Sequence, residues 1–332
     1  MADQKKFLCN KLYEYLFSEE IARQVTFLED DDFRDPGRDF SGVEGVLAQP
    51  FLITKDFLDR APDLKWVQVT GAGYDAADVG EIRRRGLTLT NSRGVMSRSI
   101  AEDVLCKILF FTRKVREVEQ NKRDHKWNSF GQDQWMCKCY TDIFGKKLGI
   151  VGYGSLGHEV AVRAKAFGMD IRAYDIKKYD EPELTECYTD AAGLDKLLRE
   201  SDFVLLTIPL FDSTFHMIND EVFDKMKPTA MLINVSRGPV VDERALERAL
   251  REGKIAWAAC DVFEQEPLFI AALLGALFEA KLLQLLPLPA PGICGGMDKL
   301  QQRGQVVRTA MGLIGVHLLV QLPIQQSPVL VI

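Results

Sequence analysis

Three glycines and one aspartate form the most informative cluster of this sequence. Gly152, Gly154 and Gly157 have the G-x-G-x-x-G spacing, directly after the apolar run 148–151. The first glycine permits a tight turn, the second lets the backbone approach a pyrophosphate, and the third lets a helix pack closely on the strand. Asp175 ends the next predicted strand, where a carboxylate can accept hydrogen bonds from an adenosine ribose. The pattern predicts a dinucleotide site; the alternative is an ordinary glycine turn in a βαβ unit.

The residues after the second glycine indicate how a diphosphate would be held. A helix that begins at Ser155 directs its first N–H groups and the positive end of its dipole towards a phosphate. The negative charge of Asp175 repels the 2′-phosphate of NADP(H), so the sequence favours NAD(H). Lys177 and Lys178 follow closely and can weaken this preference.

Two charged segments follow later apolar runs, at the strand ends where open α/β sheets bind ligands. Arg237 comes after the run 230–235 and can hold a 2-oxo acid through its carboxylate and carbonyl oxygens. Asp261 and Glu266 come after the run 255–260. Asp261 can bond a nicotinamide carboxamide, and Glu266 is suited to orient a catalytic imidazole. The alternatives are a surface arginine and a solvated acidic loop.

Length, net charge and cysteine spacing exclude several classes of protein. A length of 332 residues predicts about two domains, and a net charge of −6 argues against a general nucleic-acid surface. No apolar signal segment opens the sequence, and Glu279 and Lys281 interrupt the longest apolar run, so no membrane span is expected. The seven cysteines lack disulfide or metal-site spacing, Cys137 and Cys139 being the only close pair. We therefore expect reduced thiols, a cytoplasmic protein and no metal site.

Alternating apolar runs predict alternating strands and helices along the chain. Strands are predicted at 6–9, 45–48, 65–70, 87–90, 148–151, 203–208, 230–235 and 255–260. Helices are predicted at 18–24, at 54–60 with Thr54 as its cap, and as one long helix from 97 to 121.

From Asp63 to Pro267 the sequence resembles the D-isomer-specific 2-hydroxyacid dehydrogenases, which include phosphoglycerate dehydrogenase, glyoxylate/hydroxypyruvate reductase and formate dehydrogenase. The segments that carry the resemblance are 66–75, 91–102, the glycine loop (152–157), 208–214, 226–228, 235–238 and 261–267. The resemblance implies an α/β fold of two Rossmann-like βα domains. A NAD-binding domain, residues 100–297, would be inserted into a flavodoxin-like substrate domain, residues 1–99 plus 298–332. The resemblance also implies a homodimer that associates through the long helix and neighbouring parts of the dinucleotide domain.

The resemblance implies a role for each motif. The backbone N–H groups of Gly71, Ala72 and Gly73 would bind the substrate carboxylate, while Arg237 and Glu266 would serve catalysis. The residues that would meet NAD, besides the three glycines of the loop, are Ser155, Leu156, Asp175, Ile208, Val235, Ser236 and Asp261. The implied activity is an NAD-dependent oxidoreductase of the EC 1.1.1 type, which interconverts a small 2-oxo acid and a D-2-hydroxy acid by hydride transfer. Which 2-oxo acid it uses is left open.

One part of the family pattern is missing. Relatives carry a Pro-His whose histidine donates a proton to the carbonyl, and here Gly292 or Ile293 falls at that position. The histidines that the chain does contain match no part of that motif: His125, His158, His216 and His317. Loss of a general acid predicts hydride transfer slower by about 10²–10⁴-fold. The alternative function is a non-catalytic NAD(H)-binding sensor or scaffold of the same fold.

Overall fold

Two parallel β-sheets organise the chain. The computed structural model describes residues 6–126 and 140–266, and the backbone of 330–331. The chain divides into two compact units, Met1–Ala101 and Glu102–Ile332, and each unit is built around its own sheet. The predicted α/β class with two βα domains is therefore confirmed.

The first unit contains a five-stranded sheet. Its strands are β1 (Phe7–Asn10), β2 (Val25–Leu28), β3 (Gly45–Ala48), β4 (Trp66–Val69) and β5 (Thr88–Thr90). They pair in parallel in the order β2-β1-β3-β4-β5, which is the flavodoxin-like order. Four short helices accompany them: α1 (Glu19–Ala22), α2 (Asp30–Arg34), α3 (Lys55–Arg60) and α4 (Val79–Arg84).

Aromatic packing and helix caps fix this unit. The rings of Phe33 and Phe40 lie 5.5 and 5.3 Å from the ring of Phe57, and all three side chains are buried. Thr54 Oγ1 accepts a hydrogen bond from Phe57 N at 3.2 Å and so starts α3, as the sequence predicts. Asp78 caps α4 in the same way, through Glu81 N at 2.9 Å.

The second unit contains a seven-stranded parallel sheet. Its strands are β6 (Lys147–Val151), β7 (Asp170–Tyr174), β8 (Glu186–Tyr188), β9 (Phe203–Leu206), β10 (Met231–Asn234), β11 (Trp257–Cys260) and β12 (Leu330–Val331). They follow the order β12-β11-β10-β9-β6-β7-β8, in which the chain reverses direction across the sheet between β6 and β9. This is the doubly wound order of dinucleotide-binding folds, with β12 added at one edge.

Strands β9, β10 and β11 are buried at every residue, which explains why they are continuous apolar runs and do not alternate with polar residues. The remaining helices, in chain order, are α5 (Ser97–Thr112), α6 (Val115–Arg123), α7 (Ser155–Ala166), α8 (Ala191–Glu200), α9 (Asp220–Phe223) and α10 (Glu243–Arg251). Within the described ranges, none of the helices has the length and apolar content required to cross a membrane.

The prediction of one long helix from 97 to 121 is wrong. Helix α5 ends at Thr112, whose hydroxyl donates to the Ile108 carbonyl at 2.9 Å, and α6 begins at Val115. Between them Lys114 has a φ of 48°, in the left-handed region. Apolar spacing continues across the break, so periodicity alone cannot detect one residue that leaves the helical conformation.

The placement of the last residues stays a prediction. Leu330 and Val331 pair in parallel with Ala258 and Ala259 of β11. Residues 127–139 and 267–329 lie outside the described residues, and with them most of the segment 298–332, whose expected return to the first domain stays untested. The predictions for Cys137, Cys139, Gly292 and Ile293 fall in the same ranges.

Candidate functional site

The glycine loop joins β6 to α7, and its backbone packs so closely that two of its glycines have no room for a side chain. Gly152 has a φ of 98°, and a Cβ placed on it would lie 2.7 Å from Ile208 Cγ2. A Cβ on Gly157 would lie 2.6 Å from the Gly152 carbonyl oxygen. Real Cβ contacts are longer than this, so both positions require glycine for the turn and for the approach of helix to strand.

Helix α7 starts from the same loop. Its N-cap is Gly154, which has no side chain to accept hydrogen bonds from the first turn of the helix. The first turn contains Ser155, Leu156 and Gly157, which the sequence analysis predicts as cofactor-binding residues. Backbone N–H groups and the positive end of the helix dipole here suit phosphate oxygens. The loop and helix therefore fit the diphosphate of a dinucleotide.

Asp175 lies directly after β7 and is hydrogen-bonded to the glycine loop. Its Oδ2 accepts from Tyr153 N at 2.7 Å, and its Oδ1 accepts from Lys177 N at 3.1 Å. These bonds hold the carboxylate beside the turn, as ribose recognition requires. Lys178 Nζ donates to the Cys187 carbonyl, so one of the two lysines that could attract a 2′-phosphate is bound to β8.

The loops after β9 and β10 supply the next predicted residues. Ile208 follows β9 and packs against Gly152. After β10, Asn234 Oδ1 accepts from Ser236 N at 3.0 Å and from Ser236 Oγ at 2.7 Å. Asn234 Nδ2 donates to the Arg237 carbonyl at 3.0 Å. The buried Asn234 side chain therefore fixes the turn that carries Val235, Ser236 and Arg237.

The loop after β11 lies against the loop after β10. Asp261 N donates to the Asn234 carbonyl at 2.9 Å. A Cβ on Gly238 would lie 1.9 Å from the carbonyl carbon of Phe263, so only glycine fits between the two loops. Glu266 Oε1 accepts from Phe263 N at 2.8 Å, which curls the acidic segment back on itself.

Glu264 connects this loop to the start of α10 and to His216. Glu264 Oε1 lies 3.1 Å from His216 Nε2 and accepts from Glu243 N at 3.1 Å. Glu264 N donates in turn to Glu243 Oε1 at 2.7 Å. Burial raises the pKa of Glu243, and the charges of Glu264 and Glu266 raise it further. His216 is thus engaged with Glu264, as part of the support of the loop.

In the first unit, the loop Gly71–Gly73 follows β4. Its carbonyl groups are occupied: Gly71 O accepts from Ser92 N at 3.0 Å, and Ala72 O accepts from Asn91 Nδ2 at 2.7 Å. In a planar trans peptide the N–H points away from the C=O of the same unit. The N–H groups of Ala72 and Gly73 therefore point away from Asn91 and Ser92, which suits them to a carboxylate.

In the second unit, the predicted residues share one edge of the sheet. They follow β6, β7, β9, β10 and β11, and parallel strands end on the same side. The sequence alone did not identify Asn234, Gly238 or Asn91 as site residues, although Asn91 and Gly238 lie in segments that carry the family resemblance and Asn234 ends β10. Cys260 is no candidate nucleophile, because burial raises the pKa of its thiol to about 12.

Comparison with known proteins agrees with this geometry. The profile "D-isomer specific 2-hydroxyacid dehydrogenase, NAD binding domain" matches residues 105–280. Glyoxylate reductase of Korarchaeum cryptofilum is 41% identical over 231 residues, 70% of this chain and 68% of that protein. Glyoxylate reductase of Thermococcus onnurineus is 41% identical over 252 residues, 75% and 72% of the two chains. A D-isomer specific 2-hydroxyacid dehydrogenase family protein from Aeromonas salmonicida superposes with a TM-score of 0.68 at 29% identity, covering 80% and 84%.

We expect Gly157→Ala to weaken NADH binding at least tenfold, about 1.4 kcal/mol, because the added methyl group pushes α7 away from the loop. Gly80→Ala is the matched control, since Gly80 also lies in a helix and its Cβ would meet nothing closer than 3.6 Å. NADH fluorescence titration measures both. Equal affinity in Gly157→Ala and the parent protein would contradict the assignment of the loop.

Proposed function

Because the chain belongs to the D-isomer specific 2-hydroxyacid dehydrogenase family, we propose that it reduces a small 2-oxo acid to the D-2-hydroxy acid with NADH, or catalyses the reverse. Glyoxylate is the first substrate to test, since the relatives at 41% identity are glyoxylate reductases. The observation that carries the proposal is the common sheet edge, at which Arg237 follows β10 and the glycine loop follows β6.

The residues of this chain have distinct roles in the proposed reaction. The cofactor, when bound, supplies the hydride that adds to the carbonyl carbon. Arg237 binds the substrate carboxylate and polarises the carbonyl, because a guanidinium offers two parallel N–H donors. In the first unit, the N–H groups of Ala72 and Gly73 are the donors that the family resemblance assigns to a carboxylate. Glu266 orients the group or water molecule that delivers the proton to the carbonyl oxygen.

Arg237→Ala is expected to lower kcat/KM for the 2-oxo acid by about 10²–10³-fold, because the variant loses a charged donor to the reacting oxygen. Arg244→Ala is the control, since Arg244 is exposed on the neighbouring α10. NADH oxidation with glyoxylate, hydroxypyruvate, pyruvate and phosphohydroxypyruvate measures the effect. An Arg237→Ala variant as active as the parent would remove the arginine from the mechanism.

Preference for NAD(H) over NADP(H) depends on the charge of Asp175. Asp175→Asn keeps an acceptor for Tyr153 N and removes the charge, so we expect NADPH binding to improve at least tenfold relative to NADH. Asp180→Asn removes an exposed carboxylate from the same segment and serves as the control. An unchanged NADPH to NADH affinity ratio in Asp175→Asn would show that another group sets the preference.

The homodimer is also part of the proposal, and an apolar groove between α5 and α7 supports it. The groove is lined mainly by Leu105, Cys106, Leu109, Phe110, Ala166 and Phe167. Phe167 is 43% exposed, and Val115, which also lines the groove, is 42% exposed. A second copy of the chain on this face would remove both side chains from water.

Phe167→Asp is expected to shift the protein from dimer to monomer in sedimentation velocity at micromolar concentration, since it introduces a charge into the apolar face. Leu16→Asp, at a position 63% exposed in the first unit, is the control and should leave the dimer intact. Dissociation by Leu16→Asp alone would locate the interface elsewhere, and a monomeric parent protein would contradict the dimer.

A cytoplasmic location completes the proposal. Cys9, Cys106, Cys187 and Cys260 are free thiols in the structure, as in proteins of reducing compartments. Cell fractionation tests the location.

The missing family histidine keeps a second function open, that of a non-catalytic NAD(H)-binding sensor or scaffold. We expect an active enzyme whose kcat is limited by proton donation, while KM stays ordinary. Gly292→His or Ile293→His should then raise kcat at least tenfold, about 1.4 kcal/mol of barrier. No turnover of any 2-oxo acid by the parent or by either variant, with NADH binding intact, would favour the sensor.

A further inference from the structure

A histidine and two glutamates lie close together beside the glycine loop. None of the three has a role in the proposed reaction. His158 lies in the first turn of α7, and Glu181 and Glu183 lie in the segment between β7 and β8. One ring nitrogen and one oxygen of each carboxylate all lie within 4.8 Å of one another. Ligand atoms around a tetrahedral metal ion with bonds of about 2.0–2.2 Å lie roughly 3.3–3.6 Å apart, so the three side chains have to draw together by about 1 Å to bind an ion.

One carboxylate oxygen in this cluster lacks any partner in the described part of the chain. Glu183 Oε2 is buried and forms no hydrogen bond. An ionised oxygen that is removed from water costs free energy unless a cation or a donor compensates it. This oxygen is therefore available as a ligand for a cation.

The surroundings hold the three side chains in place. Tyr153 is 2% exposed, and its Oη lies 3.3 Å from His158 Nδ1. The Tyr179 ring packs edge-on against the Tyr153 ring at 5.0 Å, which fixes the start of the acidic segment. Leu184 N donates to the Glu181 carbonyl at 3.0 Å and closes the turn that contains both glutamates.

The electrostatics favour a cation in the same place. Burial raises the pKa of the Tyr153 phenol, and the negative charges of Glu183 and Glu181 raise it further. A tyrosine hydroxyl carries no positive charge in either protonation state, so Tyr153 does not balance the charges of the two carboxylates. A divalent ion can neutralise both of them at once.

We propose that His158, Glu181 and Glu183 form a binding site for a divalent transition-metal ion of the zinc type, which links α7 to the segment that follows Asp175. Zn²⁺ accepts imidazole nitrogen together with carboxylate oxygen, whereas Mg²⁺ and Ca²⁺ prefer oxygen ligands alone. Three protein ligands leave a fourth position for water.

The test uses Co²⁺ as a spectroscopic substitute for Zn²⁺ on the full chain after treatment with a chelator. We expect one Co²⁺ per chain, with visible d–d bands of nitrogen and oxygen ligands and without thiolate charge-transfer bands. Zn²⁺ should displace the Co²⁺, and Zn²⁺ should raise the Tm, because a ligand that binds only the folded chain stabilises it.

His158→Gln and Glu183→Gln should each weaken Co²⁺ binding at least tenfold and abolish the rise in Tm with Zn²⁺. His125→Gln, at an exposed position just after α6, and Glu221→Gln, at an exposed position on α9, are the controls and should bind Co²⁺ like the parent. NADH titration verifies that each variant is folded, and Glu181→Gln provides a third ligand variant if one of the others fails to fold.

Two results would overturn the proposal. The first is a parent protein that takes up no Co²⁺, or takes it up only with thiolate bands. The second is Co²⁺ affinity in His158→Gln and Glu183→Gln equal to that of the parent and the control variants. Neither readout depends on turnover, so the metal site stands or falls independently of the proposed reaction.

Discussion

The close approach of α7 to the end of β6 is the constraint on which the candidate site depends. It is possible because the Gly152 carbonyl oxygen lies where a Cβ of residue 157 would be, which only glycine allows. Gly152 also adopts a φ of 98° and packs against Ile208. Asp175 then bonds Tyr153 N and ties β7 to the same turn. Any side chain at Gly157 would move the helix, and with it the N–H groups that suit a diphosphate.

The other half of this site depends on hydrogen bonds made by a buried asparagine. Asn234 directs the turn after β10 through Ser236 and the Arg237 carbonyl, while its own carbonyl accepts from Asp261 N. The loops after β10 and β11 then meet at Gly238, where Phe263 occupies the space of a side chain. Because the strands are parallel, these two loops and the glycine loop lie at the same edge of the sheet, where together they form the candidate site.

Much of this arrangement could be predicted from the sequence, and the failures have physical causes. Buried parallel strands such as β9 and β10 are short continuous apolar runs, and glycine spacing and Thr54 carry local conformational information that needs no tertiary context. The break at Lys114 depends on a single backbone conformation within an unbroken apolar pattern. The role of Asn234 depends on bonds that only the folded turn reveals. The convergence of His158 with Glu183 depends on tertiary packing, because the two residues are far apart in the chain.

Direct observation of hydride transfer tests the central claim. The full chain is incubated with NADH deuterated at the transferring position of C4 and with hydroxypyruvate, and the product is analysed by mass spectrometry and chiral chromatography. The account predicts a D-2-hydroxy acid that carries one deuterium on C2, at whatever rate the protein achieves. Tight NADH binding with no deuterium in any hydroxy acid product, for each 2-oxo acid supplied, would contradict it.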